Sequence, residues 1–358
     1  MDLKNGVFRG RPAYWLAILV LLAGLLLSLL WAVTFGSVDL KMGDVYRVIL
    51  YKVTEALHFP VGDPDVYGSG SMSDIVWFVR LPRLVLAIGV GMALALAGVV
   101  MQAIVKNPLA DPYVLGVSSG ATLAILVGVG SFLGSGYVGL VAFAGAFLVS
   151  MGVIALANIG GRATSVKLIL AGTALSAICA AVSNFFLYVI NTSSGALEAV
   201  VRWTMGSLAA ASWDTNLWML AVAVLGALFF WTQYRTLNLM LLGDEAAVTL
   251  GTDLHRWRIV YLLAASLLVG FAVYTAGIIG FVGLVIPHVV RILFGTDHKK
   301  LIPISALLGA IFLLWSDVLC RVVLPGKEIP IGVLTALVGA PVFIYLMARK
   351  KYGFGGGD

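Results

Sequence analysis

The chain has 358 residues, 61% of them hydrophobic and only 11% charged, with a net charge of +6 and a mean hydropathy of +1.04. Soluble domains carry about 25% charged residues, so a water-soluble enzyme or binding domain is excluded, and no polar stretch is long enough to bury a core of its own. The composition predicts an all-α polytopic membrane protein whose residues 1–358 form a single transmembrane domain.

A helix crosses the hydrocarbon with about 20 apolar residues and satisfies its own backbone polar groups there. The first uncharged window is 12–38. It reads as a span and not a signal peptide, because it is longer than a signal core and lacks a small-x-small cleavage site. Polar residues 36–79 follow, then a window at 84–105 that ends at Lys106 and the turn "NPLADP". Window 112–161 holds two spans, broken at "GSFLGSGYVG". Next come windows 168–197 and 215–234, then a sixteen-residue break at 243–258, "GDEAAVTLGTDLHRWR", that carries two Asp, one Glu, one His and two Arg. Window 259–290 would rise about 48 Å as one helix, too long for one crossing; "AGIIGFVG" at 276–283 offers a break. Window 301–316, extended by "DVLCR", and window 329–348 complete the chain.

Charge bias chooses between the two counts. With the N-terminus inside and 259–290 split, ten spans result, and fifteen of the 23 Lys and Arg fall inside against eight outside. An unsplit window gives eleven inside and twelve outside. The positive-inside rule selects ten spans with both termini cytoplasmic. That bias also accounts for the positive net charge without nucleic acid as a partner.

Chemistry is sparse. No Lys is followed by Ser or Thr, so the phosphate-binding loop ending Gly-Lys-[Ser/Thr] is absent and the chain does not bind ATP that way. His58, His255, His288 and His298 are scattered and read as loop or interface residues; Cys179 and Cys320 form neither a disulfide nor a metal motif. No catalytic constellation and no metal site is expected. Ionisable groups avoid the span centres, which disfavours an ion-coupled secondary transporter.

Polar structure concentrates in three places. At 243–258, Asp244 suits a helix N-cap, Glu245 its first turn and Gly251 its end, leaving about six helical residues. Ala246, Ala247, Leu250 and Leu254 would share one apolar side, suited to a groove on another protein. At 79–121, Arg80 and Arg83 open a span on the outer face, with Pro82 in its first turn, and Asn107-Pro108 and Asp111-Pro112 force a rigid inner turn. At 283–346, Arg321 again falls at the outer face and Pro341 is expected to kink the last helix.

These stretches resemble the permease subunits of type II ABC importers, the group that handles iron–siderophore complexes, haem and vitamin B12. The matching elements are "RLPR" (80–83), "NPLADPYVLGVSSGA" (107–121), "GDEAAVTLG" (243–251), "GLVIPHVVR" (283–291), "GTDHKKLIP" (295–303) and "PIGVLTALVGAPVF" (330–343), in the family's order over most of the chain. The resemblance implies ten helices in each of two subunits, identical or pseudo-symmetric, around one pathway. It implies two cytoplasmic ATPase subunits, which hold the ATP and Mg, and an external substrate-binding protein; this chain carries no cofactor. Residues 243–258 correspond to coupling helices seated on the ATPase, with Asp244, Glu245, Ala246, Ala247, Leu250, Gly251 and Arg256 as contact or shaping residues. Arg80, Arg83 and Arg321 match positions that face Glu residues of the binding protein. Asn107 and Leu109 match the inner gate.

Candidate pathway-lining residues are Ser183, Asn184, Tyr188 and Asn191 on the fifth span and Thr335 on the tenth. None is a distinctive metal or haem ligand. Iron–siderophore is the first expectation for cargo because it is the family's commonest; haem and cobalamin are the alternatives. The expected location is a bacterial or archaeal plasma (inner) membrane.

Overall fold

The computed structural model describes residues 11–36, 38–130, 137–189, 194–324 and 326–349. Among them every regular element is helical. Seven helices are long and apolar enough to cross a membrane. In the numbering used below these are α1 (Arg11–Ala32), α3 (Ser71–Val105), α5 (Val138–Asn158), α6 (Ser165–Val189), α8 (Trp213–Thr232), α11 (Leu254–Ala276) and α13 (His298–Val322). Three shorter apolar helices, α4 (Val117–Gly130), α12 (Val282–Phe294) and α14 (Ile331–Arg349), stand where the sequence reading places its remaining spans. The other helices are α2 (Met42–Ala56), α7 (Ser194–Met205), α9 (Tyr234–Leu242) and α10 (Asp244–Thr249).

The bundle is built around α3. Its apolar span is 83% buried, against 6% for α1, although the two have the same kind of composition. Lipid tails are as apolar as leucine, so hydrophobicity cannot decide which helix goes inside; close backbone approach does. α3 carries Gly89, Gly91 and Gly98, and it packs against α8, α11, α12 and α13. A Cβ on Gly91 would lie 2.3 Å from the carbonyl oxygen of Gly309, and one on Gly98 would lie 1.8 Å from that of Gly283. Nothing larger than glycine fits either contact. Arg83 meets Asp317 and Gly91 meets Gly309, so α3 and α13 run antiparallel.

α3 begins well before the expected span. An α-helical turn at Ser71–Asp74 and a π-helical turn at Ile75–Arg80 precede Leu81. Pro82 keeps the expected place in the first turn of the α-helix proper, Leu81–Val105, while the two preceding turns carry the helical path back to Ser71. The wider π turn immediately before it accommodates the missing N–H and the ring's clash with the preceding carbonyl.

The break expected in 259–290 is present. α11 stops at Ala276, Gly277 adopts φ +70° and Phe281 φ +67°, and α12 starts at Val282. The loose backbone groups of this junction find partners at the end of α7: the N–H of Ser207 donates to Ala276 (2.9 Å) and that of Ile278 to Trp203 (3.3 Å). Pro341 lies inside α14.

Candidate functional site

The structure separates the polar stretches by end of the bundle. Lys106, at the far end of α3 from Arg83, brings its Nζ to 3.2 Å from where a Cβ on Gly243 would lie. Arg83 and Lys106 are about 35 Å apart along the helix at 1.5 Å per residue, close to the thickness of a bilayer's hydrocarbon. The arginines and the 243–258 stretch thus occupy opposite ends of one central helix.

At the second end, α10 has the six residues expected, Asp244–Thr249. Gly251 is left-handed at φ +76°, its N–H donates to Val248 (2.9 Å), and that of Thr252 donates to Ala247 (2.9 Å). This paired closure of the last carbonyls is a Schellman cap. The N-cap is Gly243 and not Asp244; the Asp244 carboxylate instead takes a 2.6 Å ion pair from Arg258. The expected single apolar side is divided. Ala247 and Leu254 are buried, whereas Leu250 is 63% exposed and joins exposed Val248 and Leu242. Ala246 is half-buried, and Glu245 and Arg256 are exposed. The result is a short helix anchored on one side by Ala247 and offering apolar side chains with a flanking acid to the outside. Asp253, the N-cap of α11, accepts the N–H of His255 at 3.0 Å. That bond, with Arg162 nearby, holds its carboxyl below the usual range.

The neighbouring turn is rigid. Lys106 ends α3 in the left-handed conformation at φ +56°. The Asn107 side chain accepts the N–H of Leu109 (2.9 Å), and that of Asp111 accepts the N–H of Tyr113 (2.8 Å), two local caps that replace helix bonds. Asn107 is exposed and Leu109 half-buried. Behind the turn, Arg291 donates to Gln102 (2.7 Å), whose amide reaches the carbonyls of Gly283 and Leu284 (3.3 Å each), tying α12 to α3.

At the arginine end, Arg80, Arg83 and Arg321 are not free surface charges; they are 3%, 6% and 8% exposed. Arg80 donates to the carbonyls of Val33 (3.0 Å), Thr34 (2.9 Å) and Val38, clamping the loop after α1. Arg83 donates to Asp317 (2.6 Å) and, through a second nitrogen, to both oxygens of Glu328 (2.8 and 3.0 Å). Arg321 pairs with Asp317 (3.0 Å) and donates to Phe35 (3.0 Å). A buried guanidinium requires such acceptors, and within this chain the three arginines are held by internal partners. Of the acids among them, Asp317 is fully buried and Glu328 half-exposed. Glu328 and Arg83 line a cleft of about 210 Å³ with Arg202, Met205–Leu208 and Ile329–Ile331.

The candidate pathway residues divide as well. Asn184 and Tyr188 are exposed on α6, Tyr188 by 79%. Ser183 and Thr335 are buried within the subunit, and the Thr335 hydroxyl donates to Gly332 (3.1 Å). These two therefore do not face an open surface of this chain. Asn191 lies outside the described residues. No group of three or more His, Cys, Asp or Glu that could hold a metal exists among the described residues.

Sequence reasoning missed Arg258, Asp317, Glu328 and Gln102. Arg258 and Gln102 each fall on an otherwise apolar helix face, the signal of a buried polar contact. For Asp317 the signal was its place four residues before Arg321 on a helix.

Residues 23–349 match the FecCD transport family. An uncharacterised ABC transporter permease, YvrB of Bacillus subtilis, is 38% identical over 337 residues, 92% of each chain. The vitamin B12 import system permease BtuC of Salmonella paratyphi A is 41% identical over 279 residues, 77% of this chain and 84% of its own. Among solved structures, a metal-chelate type ABC transporter in an inward-facing conformation superposes with a TM-score of 0.77 at 29% identity, covering 94% of this chain and all of the other. PsaBC from Streptococcus pneumoniae shares the fold alone, with a TM-score of 0.56 at 17% identity over 77% of this chain and 94% of its own. The chain is a multi-pass membrane protein that belongs to the FecCD transport family, the permease subunits of type II ABC importers.

Proposed function

We infer that two copies of this chain, each with ten spans and both termini in the cytoplasm, form the membrane pathway of a binding-protein-dependent importer in a bacterial or archaeal inner membrane. The observation that carries this reading is the placement of α10 and the arginine network at opposite ends of α3. An ATPase dimer takes α10, through Leu250 and Val248 with Glu245 and Arg256 at the rim, and a binding protein takes the arginine end. ATP and Mg belong to that partner, and this chain supplies no catalytic group. Of the three arginines, Arg83 is the docking candidate. Its partner Glu328 is half-exposed and can yield to a carboxylate of the binding protein, whereas Arg80 and Arg321 are held by internal acceptors. Asn107 and Leu109, brought together across the two-fold axis, narrow the inner exit. Transport proceeds by alternating access, with direction set by the different permease states that ATP binding and hydrolysis favour.

The cargo is a chelated metal. Cobalamin now stands before iron–siderophore, because the vitamin B12 permease is 41% identical over 77% of this chain. Iron–siderophore is the second reading, favoured by the metal-chelate transporter's match over 94% of the chain. The test is purification from the native membrane followed by uptake into proteoliposomes. An ATPase should co-purify, and radiolabelled cyanocobalamin should accumulate only with ATP and the binding protein. Uptake of a ferric siderophore in its place reverses the cargo order. Uptake without any ATPase overturns the importer reading.

A further inference from the structure

We propose that Arg258 is a positioning residue that ties α10 to the gate turn, so that displacement of one moves the other; the proposal rests on the reading of α10 given above. Arg258 lies on the second turn of α11 and is 2% exposed. Its guanidinium bridges two separate segments. One terminal nitrogen donates to Asp244 on α10 at 2.6 Å, and the other donates to the carbonyl of Ala163 at 2.7 Å. Ala163 sits in the junction between α5 and α6. Two residues later the hydroxyl of Ser165, at the start of α6, donates to the carbonyl of Ile104 at 3.1 Å. Ile104 is in the last turn of α3, and the Nζ of Lys106, which ends that helix, comes to 3.2 Å from where a Cβ on Gly243, the N-cap of α10, would lie. The bonds therefore run from α10 through Arg258 and the α5–α6 junction to the inner end of α3, and the Lys106 side chain brings that end back beside the start of α10. Asn107 and Leu109 follow directly on that end.

The physics of a buried guanidinium makes this path stiff. Asp244 is half-exposed, but Arg258 is buried and pairs with no second carboxylate among the described residues, so drawing Asp244 away leaves a buried charge held only by the Ala163 carbonyl, which is disfavoured. A moving α10 therefore carries Arg258 with it, and through the second nitrogen the Ala163 segment. The planar fork of Arg makes both bonds at once, which a Lys ammonium cannot do in the same geometry. Arg162 and Asp253 flank the strut with an exposed pair at 3.5 Å. Spatial continuity alone does not establish coupling, so the test measures coupling itself.

The experiment places a cysteine at the gate, Leu109→Cys, in the complex with its co-purifying ATPase, reconstituted in nanodiscs. The native Cys179 and Cys320 are buried and give a low background. The rate of labelling by a soluble maleimide is compared with and without ATP and vanadate. With Arg258 present, nucleotide changes the rate. In R258Q the ATPase is retained and still hydrolyses ATP, but the nucleotide-dependent change in labelling falls about tenfold. D244N also weakens it, and the R258Q/D244N pair is no worse than R258Q alone, because both remove one link. Labelling in R258Q that responds as in the parent overturns the proposal. Should R258Q not assemble, Ser165→Ala removes only the Ser165–Ile104 link; a diminished response supports the path and an unchanged one overturns it. A parent that never responds to nucleotide refutes the importer reading, and the strut with it.

Discussion

Asp317 gives the sharpest test of the arginine network. It is fully buried and takes Arg83 at 2.6 Å on one oxygen and Arg321 at 3.0 Å on the other. Asp317→Asn preserves volume and removes the charge. Arg83 then retains only Glu328, half-exposed and solvent-screened, and Arg321 keeps only backbone carbonyls. Removing one partner of a buried pair costs about 3–5 kcal/mol. By contrast, Glu328→Gln touches a pair that is half open to water and should cost no more than about 1 kcal/mol. The native thiols provide the assay. Cys179 and Cys320 are both buried, so a thiol-reactive fluorophore reports thermal unfolding in detergent. The midpoint of Asp317→Asn should fall by about 5–15 °C and that of Glu328→Gln by only a few degrees. Asp317→Leu combined with Arg321→Met should recover part of the loss, because an apolar pair leaves fewer stranded charges. A midpoint for Asp317→Asn within error of the parent would refute the assignment of a structural role to this network.

Gly98→Val forces a methyl-bearing carbon toward the Gly283 carbonyl, where even a Cβ would lie at 1.8 Å; overpacking should cost at least about 1–3 kcal/mol and lower the same midpoint. Gly24→Ala has nothing within 4 Å on α1 and should raise it slightly or leave it unchanged. Leu250→Asp alters a side chain that is 63% exposed, so the midpoint should hold while ATPase co-purification is lost; retained pairing would place the contact elsewhere. Gly251→Ala puts a Cβ at φ +76° and should cost about 1–2 kcal/mol locally, seen as faster amide exchange in 244–252. Asp253 has a carboxyl lowered by the His255 N–H and then by Arg162. Its contribution is therefore present above the ordinary carboxylate range and lost as pH falls through its own lower value; protection of the His255 amide should vanish there, and in Asp253→Asn it should show no such transition.

What the sequence disclosed follows from the range of the forces involved. Helix ends depend on local chemistry, so the break at 276–283 and the Gly251 cap of a six-residue helix were readable from neighbouring residues. Apolar windows of bilayer length were likewise readable, and the structure has a helix in each. Burial within the bundle was not, because lipid and protein interior are equally apolar; α1 and α3 differ in packing and hardly in composition. The arginines show the same limit. The partners of Arg83 lie 234 and 245 residues away in the chain, and those of Arg80 are backbone carbonyls with no sequence signature.

Arg256 and Arg258 show how far a local pattern could have gone. In a helix, residues 254, 258, 261 and 262 fall on one face, and Leu254, Tyr261 and Leu262 are all buried there. A charge at 258 on that face must be paired inside the protein. Residue 256 lies about 200° away from 258 and is exposed. The resemblance drew attention to the exposed arginine, a candidate for a partner's surface. The periodicity points to the buried one, which binds Asp244 of α10 and the Ala163 segment of this chain. A helix of six residues is too short to hold itself. Whatever force reaches it from outside is transmitted only as well as Arg258, Ala247 and the Gly251 cap hold it in place.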